Sequence, residues 1–332
     1  MIIDYYIEER WIKVDYYKGY KLYNYTPKTV YHGYWDDITL NCRGLILNKN
    51  NEVVALPFPK FFNLDEVKET KLENLPGTDY TVFKKYDGSL GILWSTSSGE
   101  RRIATRGCFT SDQAEFATEL WNRRYPHLYY DNLTLLFEII YPEDSHIVNY
   151  GNEERLVLLG AREINTGRYL SYSELKSLGY DDVVESVPHS LEDILLSREY
   201  DSGIEGYVIQ FHTDPPLLVK IKTEEFKRLH ANAVGFSKKK VLENLDTWDE
   251  FITNLPEEFK DQAILWKEEI TDYLHTSEVF LREVYEQYSS HFSKKEFAIE
   301  TKDFSHPFYH IRRYIFHLYD GKDVVELLLK DY

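Results

Sequence analysis

Lys85-Tyr86-Asp87-Gly88, lying where the strand-like run Tyr80–Lys85 gives way to the next one, Leu90–Trp94, decides how the rest of the chain is read. It places an amine, a carboxylate and a glycine within four residues. Residues two apart on a strand share a face, so Lys85 and Asp87 are expected on the same side. Gly88 lets the backbone come close to a bound phosphate or ribose. A lysine amine acts as a nucleophile only when neutral, a form that neighbouring cations or burial favour. Taken alone, the stretch reads equally as a solvated Lys–Asp pair entering an Asp-Gly turn. Its meaning comes from three segments further along the chain, in order: Phe137-Glu138, then Glu205-Gly206, then Lys220-Ile221-Lys222.

Lys220 and Lys222 repeat the two-residue spacing amid Leu217, Leu218, Val219 and Ile221, which places both amines on one face of an apolar strand. Paired amines there suit a polyphosphate and help keep a nearby lysine neutral, although lysines on the wet side of a strand are common. Glu205 opens the strand Tyr207–Phe211, where a carboxylate can bind Mg²⁺, an ion that takes oxygen ligands and keeps several waters. Glu138 comes directly after the apolar run Leu133–Phe137 and either hydrogen-bonds a ligand hydroxyl or pairs with a buried cation. Arg43 before a strand and Lys60 in Pro59-Lys60-Phe61-Phe62-Asn63 add cations for a leaving pyrophosphate. Lys60 reads alternatively as a charge lying over an aromatic cluster.

The 332 residues suffice for one large domain or two ordinary ones. Apolar content of 43% supports real cores, and 28 Tyr with 18 Phe favour strands and aromatic packing. No apolar run reaches membrane-spanning length, and Met1-Ile2-Ile3-Asp4-Tyr5-Tyr6 lacks a signal peptide's basic start. Cys42 and Cys108 have no metal-ligand spacing and are expected as free thiols, so the expectation is a soluble cytoplasmic protein without a membrane or protein partner. A net charge of −17 excludes a protein that coats nucleic acid through many phosphate contacts, but allows a local basic cleft in an acidic body. Glu257-Glu258 and Glu268-Glu269 read as solvated helix faces.

Strand-like segments dominate as far as residue 223: Tyr20–Tyr25, Gly44–Leu47, Val53–Phe58, Tyr80–Lys85, Leu90–Trp94, Arg102–Arg106, Leu133–Ile140, Leu156–Ala161, Tyr207–Phe211 and Leu217–Ile221. Helical patterns intrude at Asp112–Arg123, Ser171–Leu178 and Ser190–Leu196. Without regular strand–helix alternation, the class is α+β built on antiparallel sheets, not a doubly wound sheet. Beyond residue 230 the pattern turns helical, at Asp261–Tyr288, Phe308–Tyr319 and Asp323–Leu329, with Ile264, Ile270, Leu274, Phe280, Val284 and Tyr288 near one face of the first. The boundary is expected between Asn232 and Ser237, giving domains 1–232 and 233–332.

The series resembles the covalent nucleotidyltransferases, the superfamily of polynucleotide ligases and capping enzymes. Within it the chain is most similar to the RNA ligase 1 family of the T-even phage type. Cys42-Arg43-Gly44 and Lys60-Phe61-Phe62-Asn63 are more particular to that family than the lysine motif. Leu22-Tyr23-Asn24-Tyr25, Thr105-Arg106-Gly107, Ile147-Val148, Leu159-Gly160-Ala161-Arg162-Glu163 and Glu205-Gly206-Tyr207-Val208 carry it further. The resemblance implies an ATP-dependent RNA ligase in RNA repair, using Mg²⁺, with Mn²⁺ able to substitute, on single-stranded or nicked-loop RNA such as tRNA. A phage-encoded member would work in the host cytoplasm. A DNA ligase, another covalent nucleotidyltransferase, or an RNA-binding module that lost the chemistry are the alternatives.

By that resemblance Lys85 carries AMP, Glu138 holds the ribose and Glu205 organises the metal through water. Lys220 and Lys222 contact the α-phosphate, Tyr23, Arg43 and Lys60 cradle the β- and γ-phosphates, Leu159 and Val208 sandwich adenine, and Asp87 serves the RNA-handling steps. Arg106 stands where the family has lysine, keeping charge with a different hydrogen-bond geometry, and Phe226 stands where the type member has tyrosine. The C-terminal helices resemble the family's domain for RNA specificity.

Overall fold

Short aromatic and β-branched runs separated by Gly, Pro and Asn pair with near neighbours, so the first part of the chain is built largely from antiparallel strands. The computed structural model describes residues 2–143, 147–303 and 305–332; the side chains of Ile2, Glu257 and Glu258 lie outside the description, and with them the face expected at Glu257-Glu258. The first sheet runs β1 (Ile12–Tyr17), β2 (Tyr20–Tyr25), β3 (Arg43–Leu47) and β4 (Val53–Ala55), in that order and antiparallel throughout. Lys18 and Gly19, both at positive φ, turn β1 into β2 as a two-residue hairpin requires. β4 stops at Ala55, short of the expected Phe58, because Pro57 and Pro59 have no amide to give a ladder.

β5 (Phe62–Asn63) and β6 (Tyr80–Lys85) belong to a second sheet. β7 (Ser89–Ser95), β8 (Arg101–Thr105), β9 (Leu133–Ile140) and β10 (Arg155–Glu163) form a third, antiparallel in the order β10-β9-β7-β8. β11 (Ser186–Val187), β12 (Gly206–Phe211) and β13 (Leu217–Lys222) complete the second sheet, ordered β11-β6-β12-β13-β5, in which only the short β5–β13 pairing is parallel.

β9 explains its own sequence. Leu135, Phe137 and Ile139 share a buried cluster with Ala117, Leu120 and Trp121 of the helix Asp112–Arg124. The intervening Leu136 joins Leu22, Ile46 and Ile92 in another. A strand covered on both faces reads as a continuous apolar run, so a charged residue inside it, Glu138, calls for an explanation.

The chain divides into two compact units, Met1–Val234 and Gly235–Tyr332. Among the described residues the second holds helices and no strand; Glu257–Ser289, Arg312–Tyr319 and Val324–Asp331 occupy the three stretches read as helical. The buried seam of the long helix runs through Ala263, Ile270, Leu274, Leu281 and Val284, whereas Ile264 and Phe280, expected on the apolar face, are exposed. No described helix is long and apolar enough to cross a membrane. Several elements escaped the sequence reading, among them the helix Ile2–Glu8, β1, the two-residue strands β5 and β11, and the helix Glu224–Ala233, which Thr223 caps by accepting from the Phe226 amide. The architecture is α+β on antiparallel sheets followed by helices, as expected.

Candidate active site

Strand register assembles the centre of the site. Gly206 pairs with Lys85 on one side and Lys222 on the other, so Glu205, one residue before it, reaches both amines. Its Oε2 lies 2.5 Å from Lys85 Nζ and its Oε1 3.2 Å from Lys222 Nζ. Burial would raise the Glu205 carboxyl, but the two ammonium groups outweigh it and hold the carboxyl below the usual range. A Cβ at position 206 would overlap the Ile221 carbonyl and lie 2.8 Å from Lys222 Cα, at a φ of +153°. Only glycine lets the three strands close around these charges.

Glu138 enters from the third sheet, opposite Leu90 on β7 and Val157 on β10. Burial pushes its carboxyl up to about 7; Lys85 and Arg43 oppose that rise, while Glu205 and Asp87 add to it. Gly88 crosses directly over this strand, where a Cβ would be 2.5 Å from the Ile139 carbonyl oxygen and 2.8 Å from Glu138 Cγ. The close approach that requires glycine in the lysine motif is therefore to β9.

A cavity of about 480 Å³ opens between the second and third sheets. Lys85, Glu205, Val208, Lys220 and Lys222 line it from the one, and Leu90, Glu138 and Leu159 from the other. Arg43, Phe61 and Arg106 close it further. Val208 pairs with Lys220 across β12 and β13, and Lys220 and Lys222 do face the same space. Of the residues singled out, the cavity thus gathers Lys85, Gly88, Arg43, Arg106, Glu138, Leu159, Glu205, Val208, Lys220 and Lys222.

Phe61, not anticipated as a site residue, is a platform on which two cations sit, with Arg43 and Lys220 each 5.5 Å from the ring centre. Nη1 of Arg43 is buried with no hydrogen-bond partner among the described residues, which suits it to receive an anionic oxygen. Arg106 Nη1 donates to the Tyr25 hydroxyl at 2.9 Å. Phe226 offers its ring face to Lys222, 4.9 Å from Nζ, so the missing hydroxyl leaves a cation–π contact.

Three residues go elsewhere. Tyr23 is buried with Ile12 and Cys42 beside Ile3, Tyr6 and Ile7, outside the cavity lining, and Tyr25 is the tyrosine that reaches a lining residue. The expectation for Tyr23 rested on the resemblance, and the register of β2 against β3 shifts just beside it, between Tyr23 and Asn24. Lys60 lies over Phe62 at 4.5 Å, near Trp35, with Glu66 Oε1 3.5 Å away, which is the aromatic-cluster alternative. It lines a neighbouring cavity that shares Phe61 and Leu218 with the first. Asp87 does not share the face of Lys85: β6 ends at Lys85, and the Asp87 carboxylate turns to the backbone amides of Ile147 and Val148, at 2.6 and 2.9 Å.

No group of three or more His, Cys, Asp or Glu that could hold a metal occurs among the described residues. A magnesium ion here would rest on Glu205, water and phosphate oxygens, a donor set that Mg²⁺ accepts.

A lysine–glutamate–lysine row, its glutamate buried and its lysines half-buried, stands on antiparallel strands and faces a cavity that Arg43 and Arg106 also line, an arrangement in keeping with a nucleotidyltransferase domain of the ligase type. A family model described as RNA ligase matches residues 41–227, more than half of the chain, and the chain belongs to that RNA ligase family. A protein of Thermovibrio ammonificans named "Putative RNA ligase" is 33% identical over 201 residues, covering 57% of this chain and 52% of that one. The chain thus spans about half the length of that relative. An archaeal ATP-dependent RNA ligase shares the fold at a TM-score of 0.50 and 15% identity, over 81% of this chain and 75% of its own. A "Putative ATP-dependent DNA ligase" from Aquifex aeolicus gives 0.49 and 16%, over 85% and 75%.

Proposed function

We propose that the protein is an ATP-dependent RNA ligase that joins a 5′-phosphate to a 3′-hydroxyl, with Lys85 as the nucleophile. One observation carries the reading: within a chain of the RNA ligase family, Gly206 sets Lys85 and Lys222 on either side of Glu205 at the wall of a cavity. Lys85 Nζ attacks the α-phosphorus of ATP, forming an N–P bond as the bond to pyrophosphate breaks. The 5′-phosphate of RNA then takes the adenylate from Lys85, and the neighbouring 3′-hydroxyl displaces AMP to seal the strand.

Phosphoryl displacement asks for alignment and neutralised charge more than for covalent help. In this reading Lys220 and Lys222 contact the α-phosphate and Arg43 and Arg106 neutralise the departing pyrophosphate, a reading supported by all four lining one cavity. Glu138 accepts from the ribose, Leu159 and Val208 close on adenine, and Glu205 would hold Mg²⁺, which would supply further charge neutralisation. The substrate class we infer is single-stranded or nicked-loop RNA, including tRNA broken in its anticodon loop, with the helical unit contributing to that choice.

α-Labelled ATP with Mg²⁺ should leave label on a single peptide containing Lys85, and Lys85→Ala should carry none. An unlabelled wild-type protein would reject the proposal. Circularisation of single-stranded RNA should exceed sealing of nicked duplex DNA, and the reverse order would make the enzyme a DNA ligase.

A further inference from the structure

The turn after Lys85 is held from the side by a second segment of chain. The Asp87 amide donates to the Tyr150 hydroxyl at 2.8 Å. Asp87 Oδ2 in return accepts from the amides of Ile147 and Val148. Three hydrogen bonds therefore tie two short pieces of chain together, each supplying both donors and acceptors. The ring of Tyr150 packs into a cluster with Phe83, Tyr86, Ile140, Val157 and Val184, so the hydroxyl is delivered from a fixed base. Tyr150 is not among the residues that line the cavity.

We propose that Tyr150 is a positioning residue for Lys85, acting through the Asp87 amide and the turn that this amide anchors; the inference rests on the reading of Lys85 as nucleophile. Lys85 is the last residue of β6, so its backbone is fixed by sheet pairing on one side only. On the other side the turn decides where the side chain starts. Gly88 gives that turn a stop against β9, and Tyr150 with the Ile147 and Val148 amides gives it a tether. In-line attack on phosphorus tolerates little error: a misplacement of about 1 Å costs on the order of a hundredfold in rate. Asp87 thereby acquires a role in the first step, the formation of lysyl-AMP, in addition to any contact with RNA. The sequence pattern had placed it beside Lys85 on the nucleotide side.

The test is single-turnover labelling of the full-length protein with α-labelled ATP across a range of ATP concentrations. Tyr150→Phe keeps the packed ring and removes the oxygen that accepts from Asp87. Its limiting rate of labelling should fall about tenfold while the half-saturating ATP concentration stays within about twofold, because Tyr150 adds alignment and not nucleotide contact. An unchanged limiting rate overturns the proposal. So does a rise in half-saturating ATP at constant limiting rate, which would make Tyr150 part of nucleotide binding. Asp87→Asn retains a carbonyl oxygen toward the Ile147 and Val148 amides and should label faster than Asp87→Ala; equal loss in the two overturns the tether independently of Tyr150. A wild type that takes no label sinks the reading of Lys85 and the tether with it. A labelled wild type matched by Tyr150→Phe sinks the tether alone.

Discussion

Glu138 shows how one side chain in an apolar strand becomes a titrating element of the site. Its carboxyl is pushed from an ordinary 4.5 up to about 7, chiefly by burial, so the folded protein binds its proton more tightly than the unfolded chain does. Between those two values the folded state holds more protons, and stability falls as pH rises. Glu138→Gln, which has no charge to bury, should lack this loss. The melting temperature of Glu138→Gln relative to wild type should climb from about pH 4.5 to about pH 7 and level off on either side. A difference that stays constant across that window would mean Glu138 is not raised. The neighbouring carboxylate behaves oppositely: Glu205 is equally hidden, yet two amines within hydrogen-bonding reach hold it ionised. Two buried acids in one cavity are thus set apart, one raised chiefly by burial and the other held ionised by two amines.

At the scale of elements, the site is a property of register. β6, β12 and β13 must pair without a one-residue slip, since a slip would turn Lys85, Lys220 and Lys222 to the opposite face. Gly206 permits that pairing, and Gly206→Ala would drive its methyl into the Ile221 carbonyl. We expect a loss of about 3 kcal/mol in urea unfolding, combining overpacking with backbone strain, together with loss of labelling at Lys85. A variant within about 0.5 kcal/mol of wild type would show that the sheet yields at this point. Much of this was legible in the sequence: the strands bearing Lys85, Glu138, Val208 and the Lys220–Lys222 pair lie where alternation and apolar runs placed them. What alternation missed lies at interruptions of the sheet. Asp87 sits past the end of β6 and so does not obey a period of two, whereas Tyr23, expected in the site from the family resemblance, packs with Ile12 and Cys42 instead. Tyr150 was illegible for a different reason, because it meets Asp87 across 63 residues of chain.

Across the whole molecule, net charge and local charge point in opposite directions. The chain carries −17, yet the cavity presents Arg43, Lys85, Arg106, Lys220 and Lys222 against Glu138 and Glu205. Such a body repels nucleic acid generally and attracts anions at one place, which suits a reaction on strand ends more than coating of a strand. Every described residue lining that cavity belongs to the unit Met1–Val234, and the division falls at Gly235, whose φ of +64° marks a turn out of the preceding helix. If nucleotide chemistry resides in the first unit and RNA choice depends on the second, the two activities should separate on truncation. The fragment 1–234 should take label from α-labelled ATP at a rate within about threefold of the full chain, since its cavity keeps all its walls. The same fragment should seal single-stranded RNA poorly, and adding pre-adenylylated RNA should not restore it, because the missing contribution would be to holding RNA. Retention of full sealing activity by the fragment would remove the helical unit from RNA recognition. Loss of labelling by a fragment that still melts cooperatively would show that the helices complete the nucleotide site.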